Sequence, residues 1–159
     1  VWEHQKEPWV DTVLILLYSG WRISELLNLK PEDINLQAGT MKGGTKTKAG
    51  KDRVVPIHSK IRPLVESRLA EGGPRLISYN GRVCSQTQYR VFWADIMKAL
   101  EMNHTPHECR HTFETQLDSA GANRKCTDLL MGHVSKDTGN RVYNHKTLDE
   151  LKSTVELIQ

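Results

Sequence analysis

The sequence predicts a mainly α fold with one small antiparallel β-sheet (α+β), on three observations. Apolar residues recur at helical spacing in separate stretches: Val10, Val13, Leu14 and Leu17, then Tyr89, Phe92, Trp93, Ile96, Met97 and Leu100, then Leu148, Leu151, Val155 and Ile158. From residue 34 to residue 57 that period disappears, and short β-favourable pieces alternate with Ala38-Gly39, Gly43-Gly44 and Ala49-Gly50. Thr105-Pro106-His107-Glu108 then combines an N-cap, a first-turn proline and a capping-box glutamate, a dense signal for a helix start.

The elements follow in order. The first helix is expected over residues 9–19, ended by Gly20. A second, short helix holds Ile23, Leu26 and Leu27 on its core face and stops before Pro31, because the residue before a proline is pushed out of the α region. Residues 34–36, 40–42 and 53–57 are expected as the strands of the sheet, whose hairpin carries the lysines. Ile61, Leu64, Val65 and Leu69 mark a further helix, ended by Gly72-Gly73-Pro74. The stripe from Tyr89 to Leu100 is the strongest in the chain and is read as core; stacking of Phe92 and Trp93 on bases is the alternative. Helices are also expected from Thr105, over residues 123–131 with Gly132 at the C-terminal side, and from Thr147 with Glu150 three positions later.

At 159 residues the chain is long enough for one domain with a real core. Charged residues at 26% and hydrophobic residues at 38% belong to an ordinary globular protein and exclude a disordered one. No apolar run approaches the roughly 20 residues that span a bilayer, and no signal-peptide pattern opens the chain, so no membrane partner is expected. A start at Val1 instead of Met reads as an excised or processed piece. Cys84, Cys109 and Cys126 are far apart and lack C-x-x-C spacing, which argues against a zinc knuckle or disulfide framework and for a reducing cytoplasm. The net charge of +3 says little, but Lys42, Lys46, Lys48, Lys51 and Arg53 stand close together against the single acid Asp52. Such a stretch can follow a phosphate backbone; the alternative is a solvated lysine-rich hairpin.

The chemistry concentrates near the C-terminus. His107 and Arg110 are three apart, so they project from one side of a helix. They lie in its first turns, where unpaired N–H groups and the helix dipole favour a bound phosphate. His133 and Tyr143 follow. A phenol among such donors suits nucleophilic attack on a phosphodiester, because the donors stabilise charge developing on the phosphate oxygens. A free phenol with a pKa near 10 needs that assistance at neutral pH. His107 and His111 also have the spacing of two metal ligands on a helix, but no third ligand is evident and no metal is expected.

Five ordered motifs carry a resemblance. They are Gly20-Trp-Arg22-Ile-Ser-Glu25-Leu, Lys48 eight before Pro56, Thr105-Pro-His-Glu-Cys-Arg-His-Thr, Met131-Gly-His133 and Val142-Tyr143-Asn-His. Together they make the chain similar to the catalytic domain of the tyrosine recombinase (phage integrase) family, including integrases of phages and conjugative transposons. The resemblance implies that Arg22 and Arg110 clamp the non-bridging oxygens of a scissile phosphate, as guanidinium does bidentately. It implies Lys48 as the general acid at the hairpin tip, with Lys46 second in line, and His107 and His133 as groups that stabilise the transition state and handle protons. Tyr143 is then the nucleophile and Glu25 a supporting acid. Lys42, Lys46, Lys51 and Arg53 are the expected DNA-binding set, while Tyr18, Tyr79 and Tyr89 lie outside the motifs. Two departures stand out: Cys109 occupies a position where many members carry leucine, and ten positions separate His133 from Tyr143 where many have nine.

The implied function is site-specific cleavage and rejoining of DNA through a 3′-phosphotyrosyl link, without metal, ATP or other cofactor, in the integration and excision of a mobile element. Residues 1–159 are expected as a single catalytic domain, with the core-binding and arm-binding domains that precede it in relatives missing. The expected partner is double-stranded DNA, with a tetramer on paired sites joined through Leu148, Leu151, Val155 and Ile158; packing of that stripe in cis is the alternative. The expected place is the cytoplasm of a bacterial or phage-infected cell, at the nucleoid. A type IB topoisomerase-like activity and a catalytically silent DNA-binding module remain as alternatives.

Overall fold

The computed structural model describes residues 1–44, 50–133 and 147–159. A 3-10 turn at Trp2–His4 leads into α1 (Val10–Ser19), the short α2 (Ile23–Leu26) and a sheet of β1 (Ile34–Asn35), β2 (Thr40–Gly43) and β3 (Arg53–Pro56). Then come α3 (Arg62–Ala70), β4 (Ser78–Tyr79), β5 (Arg82–Val83), α4 (Gln86–Ala99), α5 (Pro106–Ser119), α6 (Arg124–Met131) and α7 (Leu148–Val155). The mainly α expectation holds. The β4–β5 pair is an addition, built on Asn80-Gly81, whose φ values of 51° and 70° suit a two-residue hairpin turn. Among the described residues no helix is long and apolar enough to cross a membrane.

α1 is central because its sequence is apolar nearly all round: Val10, Val13, Leu14, Ile15, Leu16 and Tyr18 are all buried. α5 lies along it and contributes Phe113 and Leu117 to the same core. Gly20 ends α1 at φ 64°, a left-handed conformation that glycine adopts without Cβ strain. At that point the chain is free to turn into Arg22 and α2.

In the three-stranded sheet β2 is central, with Ile34 opposite Met41, Met41 opposite Val55 and Gly43 opposite Arg53. Side chains alternate along β3, so Arg53 and Val55 are buried while Val54 faces out. α4 starts on a Ser85–Gln88 capping box. Its aromatic residues pack: Trp93 is buried and donates Nε1–H to the His104 carbonyl at 2.6 Å, and Phe92 stacks on Trp9 at 4.3 Å between centroids.

The apolar stripe of α7 packs in cis, the alternative named above for it. Leu151, Val155 and Ile158 are buried against their own chain, where α7 meets α6 and β3, and only Leu148 is exposed. Polar contacts hold the tail: Ser59 donates from its amide and its hydroxyl to the Glu156 carboxylate, both at 2.7 Å. Nδ1 of His58 accepts from the Lys60 amide, which leaves Nε2–H to donate to the Ile158 carbonyl at 3.0 Å.

Candidate active site

Arg22 is the N-cap of α2, and Glu25, one turn on, reaches back to it. The Glu25 carboxylate accepts from the Arg22 amide at 3.0 Å and from its Nη1 at 3.2 Å. The same carboxylate, 2% exposed, takes Nη1 and Nη2 of Arg53 at 3.0 and 2.8 Å. Burial alone would raise the Glu25 pKa, but the bonds and charge of Arg53, followed by those of Arg22, hold it below the usual carboxylate range. Glu25 therefore stays ionised between two guanidinium groups.

Arg110, on the second turn of α5, is 2% exposed and held by backbone from both neighbouring segments. Its Nη1 donates to the Gly20 carbonyl at 2.6 Å, two residues before Arg22, and its Nη2 donates to the Met131 carbonyl. Nη2 also lies 3.4 Å from Nε2 of His133. Burial, then the charges of Arg22 and Arg53, bring the Arg110 pKa down to about 10. The group remains charged at neutral pH.

His133 is held just past α6, where Gly132 caps the helix and the His133 amide bonds to the Asp128 carbonyl at 2.9 Å. Burial and the adjacent Arg110 charge push its pKa below the ordinary imidazole value. A neutral ring beside a guanidinium accepts at Nε2 and carries its proton on Nδ1. His107 stands one turn before Arg110 on α5, exposed, with its ring edge-to-face against His111 at 4.6 Å. Among the described residues no group of three His, Cys, Asp or Glu could hold a metal.

Arg22, Glu25, Arg110 and His133 are thus brought within bonding or charge reach of one another from three separate stretches of chain. Lys42 and Lys51 stand exposed beside the hairpin. Lys46, Lys48 and Tyr143 lie outside the described residues. Arg53 is a correction to the DNA-binding set: it is 7% exposed, with Nε donating to the Leu130 carbonyl at 3.0 Å and its guanidinium 4.0 Å above the Trp21 ring. A cation enclosed by a carboxylate, a carbonyl and an indole does not face a phosphate backbone. Reading by local charge misses this; strand alternation, with Arg53 in phase with Val55, carries the signal.

Comparison with known proteins agrees with this geometry. The phage integrase family matches residues 6–150. The chain is 34% identical over 154 residues to tyrosine recombinase XerA of Pyrococcus furiosus, covering 91% of this chain and 52% of that protein. It is 34% identical over 148 residues to XerC of Pelobacter propionicus, covering 87% of this chain and 48% of that protein. The chain therefore spans about half the length of these relatives. In fold it is similar to the Tn1549 transposon integrase solved with transposon right end DNA, at a TM-score of 0.70 and 24% identity over 93% of this chain and 58% of that one. A crystal structure of XerA recombinase is similar at a TM-score of 0.71 and 24% identity, covering 95% of this chain and 58% of that one. Since the family match takes in every segment that builds the arginine pair, from α1 to the start of α7, the chain belongs to the phage integrase family.

Proposed function

We propose that this chain is the catalytic domain of a tyrosine site-specific recombinase, which cleaves and rejoins DNA strands in the integration and excision of a mobile element. The observation that carries the reading is Arg110, buried, charged and fixed between the Gly20 and Met131 carbonyls, beside Arg22 and His133. Two guanidiniums held in place without solvent relaxation suit the equatorial oxygens of a phosphodiester in its transition state.

In this reading Arg22 and Arg110 bind the two non-bridging oxygens, and the Tyr143 oxygen attacks phosphorus in line. The bond from phosphorus to the 5′ oxygen breaks as the bond to the phenolic oxygen forms. The phenolic proton leaves through a histidine of the site, His107 or His133, and Lys48 protonates the departing 5′ oxygen. A 3′-phosphotyrosyl link and a free 5′ hydroxyl result, and attack by the 5′ hydroxyl of another strand reverses the step with no ATP. Positioning and charge neutralisation supply the catalysis, and the chain's own cations fill the part that a metal or cofactor plays elsewhere.

DNA as partner is supported by the family and by the Tn1549 integrase solved with its transposon end. Such a function places the chain with DNA inside the cell. Assembly as a tetramer on paired sites is kept with a different contact. The buried stripe of α7 is already used in cis, so Leu148 and Leu157, 37% and 42% exposed, are the apolar positions that this segment offers a neighbour.

A nicked duplex that releases a short fragment on cleavage, and so traps the covalent complex, tests the reading. The expected result is a covalent protein–DNA adduct with the natural sequence and none with Tyr143→Phe. An adduct that persists in Tyr143→Phe moves the nucleophile elsewhere. Binding without any adduct makes the chain a silent DNA-binding module, and relaxation of supercoils without strand exchange makes it topoisomerase-like.

A further inference from the structure

Arg53 is buried, and its three side-chain bonds go to two carriers of the site, while its backbone belongs to a third. Nη1 and Nη2 hold Glu25, which holds Arg22. Nε holds the Leu130 carbonyl, at the end of the helix that presents His133. Its own backbone is the first residue of β3, opposite Gly43, where the two arms of the lysine-bearing hairpin leave the sheet.

The packing around it is equally specific. Beyond the Gly43–Arg53 pair, the Asp52 amide donates to the Gly44 carbonyl at 3.3 Å and closes the base of the hairpin. A Cβ placed on Gly44 would come within 2.8 Å of Arg53 Nη1. A Cβ on Gly132, which has φ 65°, would come within 2.7 Å of Gly50 Cα and 3.3 Å of Arg53 Cδ. Gly44, on one arm of the hairpin base, and Gly132, the residue before His133, are therefore pressed against one arginine side chain, with the Trp21 ring beneath it, while Gly50 on the other arm lies against Gly132. Glycine at these contacts lets backbone approach where any other residue would hold it off.

We infer that Arg53 is a positioning residue that locks the base of the hairpin to the arginine–histidine site, so that the general acid carried between Gly44 and Gly50 is delivered to the leaving oxygen. The inference rests on the recombinase reading, with Lys48 as that acid. Arg53 does not touch the DNA; it acts through the placement of the hairpin, Arg22 and His133. Guanidinium is required because the fork must meet both Glu25 oxygens while Nε reaches a carbonyl on another side. Lysine keeps the charge and loses that geometry.

The test uses the chain with Arg53→Lys and Arg53→Met, read in two ways. Hydrogen exchange of the free protein should quicken at the Asp52 and His133 amides in both variants, while the α1 and α5 amides stay protected. Unchanged exchange at Asp52 and His133 overturns the lock, whether or not the chain proves to be a recombinase.

Adduct formation is then compared on two trapping duplexes, one natural and one with sulfur in place of the 5′ bridging oxygen. A thiolate leaves without a proton, so the sulfur duplex makes general-acid help unnecessary. A lost general acid costs about 10²–10⁴-fold in rate. The natural duplex should therefore lose a factor in that range in both variants, and most of the loss should disappear on the sulfur duplex, as with Lys48→Ala. Equal loss on both duplexes would confine Arg53 to the phosphate clamp and overturn the link to the general acid. Should the unaltered chain form no adduct, the recombinase reading fails on its own and the exchange result alone judges the lock.

Discussion

Nη2 of Arg110 lies 3.4 Å from Nε2 of His133, so the ring nitrogen that faces the guanidinium carries the lone pair. Burial first, and the Arg110 charge second, hold the ring neutral. A proton NMR titration should find His133 with a midpoint below the ordinary imidazole value of about 6.5. Arg110→Met should raise that midpoint without restoring it fully, because the burial contribution stays. The folded pKa is depressed, so the contribution to stability is complete above about pH 6.5 and is lost as the pH falls towards the folded value. A midpoint at or above 6.5 in the unaltered chain would contradict the pairing.

Glu25 and Arg53 form a buried ion pair with side chains 1% and 4% exposed. Removing one partner strands the other, which typically costs about 3–5 kcal/mol. Urea unfolding of Glu25→Ala should show a loss of that size. The double variant Glu25→Leu with Arg53→Met should lose much less than the sum of the single variants. Because the Glu25 pKa is depressed in the fold, its contribution is present above about pH 4.3 and disappears as the pH falls through the folded value.

Lys42 and Lys51 are exposed and Arg53 is not. Each phosphate contact contributes about 0.9 to the slope of log affinity against log salt on duplex DNA. Lys42→Gln with Lys51→Gln should therefore flatten the slope by about 1.8 if both meet phosphates. Arg53→Met should move it by far less. A titration of binding from low to moderate salt distinguishes the two.

The cis docking of α7 predicts opposite results for two neighbouring leucines. Leu151, 8% exposed, should lose about 2–3 kcal/mol on change to Ala, near the low end for a core leucine. Leu148, 37% exposed, should stay within about 0.5 kcal/mol. Thermal unfolding of the two variants, at a matched chain concentration, measures both.

Much of the fold and of the arginine site is legible in the amino-acid sequence. The caps at Gly20, Thr105, Gly132 and Thr147 are local signals, fixed by one or two residues, and each ends or begins a helix as expected. The stripe of α4 is core because aromatic residues at helical spacing have a large apolar area to bury. The β4–β5 hairpin escapes a reading by periodicity although Asn80-Gly81 announces it; its strands are two residues each, too short for any alternation to show. Arg53 is misplaced when it is read by its charge and not by its phase in the strand. Whether α7 packs at home or abroad depends on β3 and α6, surfaces that its own eight residues do not encode.

The bonds that join the separate pieces of the arginine site are distant along the chain. Arg110 reaches back 90 residues to Gly20, and Arg53 reaches forward 77 to Leu130. Such contacts form late, since the entropy of closing long loops opposes them until much of the chain is in place. A polypeptide that stops before α6 therefore lacks the Leu130 and Met131 carbonyls that hold Arg53 and Arg110, and the arginine site is completed only by the segment that also anchors the tail.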